Sequence, residues 1–177
     1  EDAGPTAHSV RPDSYIEVNN FYTVTIYEKG AELIRMIATL IGVDAFKRGL
    51  ALYLRQHDGT AATIENFVVA MEEAGGLDLS QFRRWYGQAG TPELRARGTY
   101  DAGTRRYRLT LSQTVPPTPG QPSKQPMHLP VALGLVAPDG TDMPLHLERD
   151  PEGANGATTR VLSLKEAERT FVFTDVP

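Results

Sequence analysis

The apolar positions in the first half of the chain recur with the period of an α-helix. Between residues 22 and 41 they fall at intervals of three and four and so form one apolar face. These positions are Leu33, Ile34, Ile37, Leu40 and Ile41. The same spacing over 44–57 predicts a second helix, and Thr63 is placed to cap a third that ends at Gly75-Gly76. Asp78-x-x-Gln81 resembles a capping box and predicts a short fourth helix.

The second half alternates apolar and polar positions, which is the period of a half-buried strand. The alternation is seen over 107–111, 129–135, 145–147 and 171–173. Asp139-Gly140 and Asn155-Gly156 are turn signals, and Gly98 and Gly103 are interpreted as flanking a further turn. The proline-rich stretch 116–126 predicts a loop. Six or so short strands of this kind predict a small β-sandwich.

Proline marks the division between the two halves. Only 2 of the 13 prolines precede residue 91, and proline disrupts helix interiors. Gly90-Thr91-Pro92 is a natural break. We therefore expect an α+β fold, with a short helical bundle piece over 1–90 and a β-sandwich over 91–177. The last strand signal lies almost at the C-terminus, so we expect the sandwich to lack its final strand.

Composition excludes several functional classes. The net charge is −4, and it belongs to residues 1–90, which hold 8 Lys and Arg against 12 Asp and Glu. The absence of a basic block argues against nucleic acid as a partner, and no apolar run approaches a membrane span. There is no Cys, which excludes a disulfide framework and fits a reducing compartment. The chain begins Glu-Asp-Ala-Gly without Met, so we expect a piece of a longer protein.

The residues that commonly carry hydrolytic chemistry are not arranged for it. Zinc hydrolases usually place two His one helical turn apart, as in H-E-x-x-H. No two of the four His are spaced in this way, and no Gly-x-Ser-x-Gly occurs. The histidines are His8, His57, His128 and His146. We therefore expect no metal site within this chain.

One segment is different, because 15–30 is dense in Tyr, Asn and acidic residues just before an apolar helix. A Tyr hydroxyl can donate a hydrogen bond to an oxyanion without carrying charge. Tyrosines near a helix start also pack, with the hydroxyl on a backbone carbonyl. Composition alone leaves both interpretations open.

The same segment carries a family resemblance. Asn-Asn-Phe-Tyr-Thr-Val-Thr-Ile-Tyr-Glu-Lys-Gly-Ala-Glu-Leu-Ile-Arg-Met, residues 19–36, resembles bacterial aminopeptidase N, a family of zinc metallopeptidases of the gluzincin class. Arg-Gln-His-Asp-Gly at 55–59 and Phe-Arg-Arg-Trp-Tyr-Gly-Gln-Ala-Gly-Thr-Pro at 82–92 resemble further stretches of that family. So do residues 7–12, 124–130 and 168–173. The resemblance follows nearly the whole chain in order.

The resemblance implies a fragment of a peptidase that removes N-terminal amino acids from peptides. Residues 1–90 would be the late part of a thermolysin-like catalytic domain, and 91–177 most of a fibronectin-like sandwich. The family's zinc motif and amine-binding segment lie outside this chain. Zinc would therefore be a cofactor of the parent enzyme and not of the fragment, which we expect to be inactive alone.

The resemblance also implies roles for three residues. Tyr27 would be the catalytic residue, stabilising the transition state through its hydroxyl, while Asn19 and Tyr22 would bind substrate. Expected partners are peptides with a free N-terminus and the missing domains of the same enzyme. The cytoplasm is the expected location, and the fragment is expected to self-associate through uncovered helix faces. The alternative is a non-catalytic β-sandwich that binds a partner or acts as a spacer between domains, together with a helical segment onto which a partner docks.

Overall fold

The computed structural model describes residues 2–151 and 156–177, which divide into two units. The helical unit comprises Glu1–Thr91 and Pro116–Met127, and the strand unit comprises Pro92–Val115 and His128–Pro177. The α+β expectation is confirmed. The proline-rich stretch groups with the helices, whereas the division at Gly90 assigned it to the strands. Asn155 of the Asn155-Gly156 turn signal lies outside the described residues.

The helical unit follows the apolar periodicity of the sequence. Its first helix buries Leu33 and Ile37 completely, and it ends just before Gly42, whose φ of 84° suits glycine. A 3-10 turn, Val18–Phe21, and a π-helical turn, Thr25–Lys29, precede that helix. The α-helices are α1 (Gly30–Ile41), α2 (Val43–His57), α3 (Ile64–Gly75) and α4 (Arg84–Gly87).

Helix α3 begins and ends as the sequence predicts. The Thr63 hydroxyl oxygen accepts a hydrogen bond from the Asn66 backbone N–H at 3.3 Å. In return, the Asn66 side-chain oxygen accepts from the Thr63 backbone N–H at 2.8 Å. The helix stops before Gly76, which is left-handed with a φ of 60°. This reciprocal pair satisfies donors that a helix start leaves unpaired.

The short fourth helix predicted after Asp78-x-x-Gln81 is present, but it begins later than that motif places it. The Asp78 carboxylate accepts from the Ser80 backbone N–H, and α4 begins only at Arg84. The Gln81 amide donates to the carbonyl of Pro126 at 3.1 Å. Gln81 therefore makes a tertiary contact with the proline-rich stretch.

The described residues of the second unit form eight strands. One sheet has the order β1-β2-β8-β6 and is antiparallel throughout, and the other pairs are β3 with β7 and β4 with β5. The strands are β1 (Glu93–Asp101), β2 (Arg106–Thr114), β3 (Leu129–Leu133), β4 (Leu135–Val136), β5 (Asp142–Met143), β6 (His146–Leu147), β7 (Arg160–Leu164) and β8 (Glu168–Thr174).

Gly98 lies in the middle of β1, so its interpretation as flanking a turn is wrong. The turn follows over 102–105 and contains Gly103. The Tyr107 side chain, diagonally opposite on β2, fills the space that a Cβ at Gly98 would occupy. Glycine is therefore required at this position by the close approach of an aromatic ring.

Inward-facing residues of three strands, β2, β7 and β8, together with Leu145, which precedes β6, build the core of the strand unit. The alternation in β2 and β8 predicted from sequence supplies four of them. The buried cluster consists of Leu109, Leu111, Leu145, Leu162, Leu164, Phe171 and Phe173.

An ion-pair network links α3 to the residues just before α4. Two nitrogens of Arg83 contact the two Glu72 carboxylate oxygens, each at 2.8 Å, and a third donates to Glu65 at 2.7 Å. The Leu79 backbone N–H also donates to Glu72 at 2.8 Å. The hydrogen bond from Arg83 is the main reason that the pKa of Glu72 lies below its ordinary value.

We expect Glu72→Gln to make the stability of the chain less sensitive to acid. A carboxyl whose pKa is lowered by folding stabilises the folded state above its unfolded pKa, near 4.5. That contribution disappears as the pH falls through the lowered folded value. Urea unfolding from neutral pH to acid should show a steeper loss in wild type than in Glu72→Gln. Equal pH dependence in both proteins would contradict this role for Glu72.

Candidate functional site

The segment that leads into α1 is organised by its own side chains. The Asn20 side-chain oxygen accepts from the backbone N–H groups of Ile16 and Glu17, at 3.0 and 3.1 Å. This closes the 3-10 turn, and the Thr23 hydroxyl then accepts from the Ile26 backbone N–H at 3.2 Å. The second contact caps the π-helical turn that follows. Asn and Thr therefore form local turns here rather than lining a core.

Tyr27 is the central residue of the π-helical turn Thr25–Lys29. A π-helical turn holds one more residue than an α-helical turn, so it rotates the side chains before it relative to those of α1. Tyr27 lines the same cavity as Ala31 and Ile34 of α1. Single π-turns of this kind are frequent at functional sites.

Tyr22 and Tyr27 stand side by side at the edge of that cavity. Their rings are stacked, with centroids 5.9 Å apart and planes 19° from parallel. Both side chains are more than half exposed. The cavity has a volume of about 670 Å³ and is lined mainly by apolar and aromatic side chains. They include Phe21, Ile26, Ile34, Tyr53, Ile64, Phe67 and Tyr86.

Asn19 lies apart from this pair of rings. It is exposed within the 3-10 turn, and its carbonyl accepts from the Tyr22 backbone N–H at 3.1 Å. It is not among the described residues that line the cavity. The structure thus brings Tyr22 and Tyr27 together and places Asn19 one short turn away.

Tyr53 and Tyr86 also line the cavity. The sequence predicted both of them only as members of helix faces. Tyr86 is almost fully buried, and this burial raises its pKa to about 12. Tyr53 on α2 meets the edge of the Phe67 ring at a centroid distance of 5.5 Å. Their helical periodicity is that of core residues, so sequence offers no signal that they border an open space.

The described part of the chain contains no cluster of three or more His, Asp or Glu that could hold a metal ion. Each of the four histidines lies in its own surroundings; His128, for instance, is buried and contacts the Ser163 hydroxyl at 2.6 Å. Among residues 2–151 and 156–177, no helix has the length and apolar character needed to cross a membrane.

Two family models match the chain end to end. Residues 1–86 match the peptidase family M1 domain, and residues 90–177 match a domain of unknown function, DUF3458, described as having an Ig-like fold. The boundary between the two matches falls at the division that proline marks in the sequence.

Three curated relatives that match nearly the whole chain are each named aminopeptidase N. Aminopeptidase N of Escherichia coli is 51% identical over 99% of this chain, which covers 20% of that relative. The enzymes of Haemophilus influenzae and Caulobacter vibrioides are 49% and 47% identical over 98% and 100% of the chain, and each is covered to 19%. The chain thus spans about a fifth of the length of these relatives.

A solved structure has the same fold. Aminopeptidase A of Legionella pneumophila, crystallised in complex with aspartic acid, superposes with a TM-score of 0.77 at 24% identity. The match covers 98% of this chain and 18% of that one. The two family matches and the relatives of about half identity agree, and the chain belongs to the M1 peptidase family, within the aminopeptidase N group.

Proposed function

We propose that this chain supplies one wall of the active site of a metal-dependent aminopeptidase. The observation that carries the proposal is Tyr27, held on a π-helical turn at the edge of an apolar cavity beside Tyr22. The substrates are peptides with a free N-terminus, and the partner is the remaining four-fifths of the same enzyme. A chain without Cys is compatible with the cytoplasm, which is the location we propose for the parent.

The role of Tyr27 is to donate a hydrogen bond to the substrate. As the scissile carbonyl carbon becomes tetrahedral, its oxygen gains negative charge. A phenol hydroxyl placed there stabilises that charge without losing its own proton. The turn fixes the backbone of Tyr27, so the donor is positioned before the substrate arrives, which is what makes such donors effective.

The metal belongs to the parent enzyme. M1 peptidases are zinc enzymes as a family, but the described residues of this chain offer no donor set that fits the ion. We infer that residues outside this chain hold the zinc. This chain contributes a hydrogen-bond donor and apolar surface to the reaction.

Tyr22 and Asn19 form the substrate-binding part of the proposed site. The Tyr22 ring extends the apolar surface of the cavity outwards, where a substrate side chain can pack. The exposed Asn19 amide, one turn earlier, is available to backbone groups of a bound peptide. These contacts would stabilise the bound substrate and the transition state equally.

We therefore expect Tyr22→Ala in the full-length enzyme to raise KM about tenfold while kcat changes little. The size corresponds to about 1.4 kcal/mol of lost aromatic contact. An interaction made equally in both states appears in KM alone. Steady-state kinetics on a series of aminoacyl-anilides measures it. Tyr100→Ala in the strand unit, which removes a comparably exposed ring, serves as the control. A KM unchanged by Tyr22→Ala would remove Tyr22 from the site.

A further inference from the structure

Lys29 ends the π-helical turn, two positions after Tyr27. Side chains two positions apart on a helix do not share a face. Lys29 is accordingly absent from the described residues that line the cavity beside Tyr27. Its ammonium lies 2.9 Å from Asp2 Oδ2 and 3.0 Å from the carbonyl oxygen of Gly90. It also lies 5.6 Å from the centre of the Trp85 ring.

This anchor is a sheltered, hydrogen-bonded ion pair. The side chains of Lys29 and Asp2 are only 13% and 20% exposed, in contrast to the solvent-facing pair of Arg35 with Glu32 on α1. The Asp2 carboxylate also accepts from the Gly90 backbone N–H at 3.0 Å and from the Thr91 hydroxyl. An exposed pair contributes little, whereas a sheltered pair with several hydrogen bonds holds its side chains in one geometry.

The Asp2 carboxylate remains charged in this setting. Burial alone would raise its pKa, but hydrogen bonds from Thr91 and Lys29 outweigh that effect and lower it. The attraction between the two groups is thus present throughout the neutral pH range.

We propose that Lys29, clamped by Asp2 and Gly90, is a positioning residue that holds the Tyr27 hydroxyl at the oxyanion. The proposal rests on the proposed function of Tyr27. A displacement of about 1 Å in a catalytic group can cost about 100-fold in rate. Lys29 is the last residue of the turn that carries Tyr27, so its contacts with Asp2 and Gly90 hold that end of the turn. Lys29 touches no substrate and acts only through the turn.

The test uses the full-length enzyme and the variant Lys29→Met, which keeps the aliphatic stem and removes the ammonium. We expect kcat to fall about 10- to 100-fold while KM changes little, because substrate contacts remain. Lys29→Arg should recover part of the loss, since a guanidinium can still reach Asp2. Lys47→Met on the exposed face of α2 removes an equivalent charge and should leave kcat unchanged.

The double variant Tyr27→Phe/Lys29→Met separates positioning from stability. If Lys29 acts through Tyr27, the double variant has the same kcat as Tyr27→Phe alone. Losses that multiply, or a kcat per titrated active site that Lys29→Met does not change, would overturn the proposal. If instead Tyr27→Phe itself retains full activity, the proposed function fails and the failure is recognisable as such.

A second variant addresses the case in which Lys29→Met does not fold. Asp2→Asn keeps the shape of the side chain and an oxygen that can accept from the Gly90 backbone N–H, but it removes the negative charge. We expect it to lower kcat in the same direction as Lys29→Met, by a smaller factor, with KM preserved. A folded Asp2→Asn enzyme with unchanged kcat would also overturn the proposal.

Discussion

Replacing Tyr27 by Phe in the full-length enzyme is expected to lower kcat about 10²–10³-fold, the usual cost of losing one oxyanion donor. The change deletes a single oxygen atom from a side chain that is more than half exposed. The ring remains, so its stacking on Tyr22 and the apolar lining of the cavity are preserved. Since the lost interaction exists only in the transition state, kcat and kcat/KM should fall together.

The appropriate control is Tyr100→Phe, which deletes a hydroxyl from the strand unit that donates to the Val176 carbonyl. It should leave kcat unchanged. Circular dichroism and the temperature of unfolding should be the same for Tyr27→Phe and wild type. A Tyr27→Phe enzyme within a few-fold of the wild-type kcat would refute the role of its hydroxyl.

The 177-residue chain alone is expected to hydrolyse no aminoacyl-anilide, with or without added zinc. The physical reason is the donor set, since the described residues offer no cluster that could hold the ion. One hydrogen-bond donor on an open wall cannot activate water by itself. The full-length enzyme, assayed in the same buffer, is the positive control.

Zinc titration of the isolated chain makes this prediction quantitative. The chain should show no stoichiometric zinc binding, and its unfolding temperature should not rise when zinc is added. Hydrolysis that depends on zinc and is abolished by a chelator would contradict the assignment of the metal site to the rest of the enzyme.

The helices and most strands could be predicted because their signals are local. Periodicity located α1 to α3, and the Thr63 and Gly76 ends of α3 follow from side-chain chemistry within four residues. The alternation around Leu109 and Phe171 likewise identified core strands. In each case burial on one face dictates the pattern of residues.

Other features depend on partners distant in sequence. Strand β1 is exposed along its whole length, and Gly98 is explained only by Tyr107 on the next strand. The Gln81 amide reaches Pro126, 45 residues later. A local pattern cannot contain either contact, which is why Gly98 was wrongly interpreted as flanking a turn and the contact of Gln81 was not predicted.

In the candidate site, too, some features could be predicted from the sequence and others could not. Tyr27 and Tyr22 are found in the sequence as members of an unusual polar segment, and the family resemblance gives them roles. The π-helical turn that orients Tyr27 leaves no mark in the sequence, because it differs from an α-helix by one inserted residue. In the sequence, Lys29 cannot be distinguished from other charged residues. Its contacts with Asp2 and Gly90 become apparent only in the structure.

The central claim is that Tyr27 meets the substrate only when the carbonyl has become tetrahedral. Its most direct test compares the affinity of wild type and Tyr27→Phe for a phosphinic peptide, which mimics that geometry, and for the product amino acid. A true mimic should lose affinity by the factor by which kcat/KM falls, about 10²–10³-fold, while product affinity stays the same. Equal phosphinate affinity in the two enzymes would contradict the account.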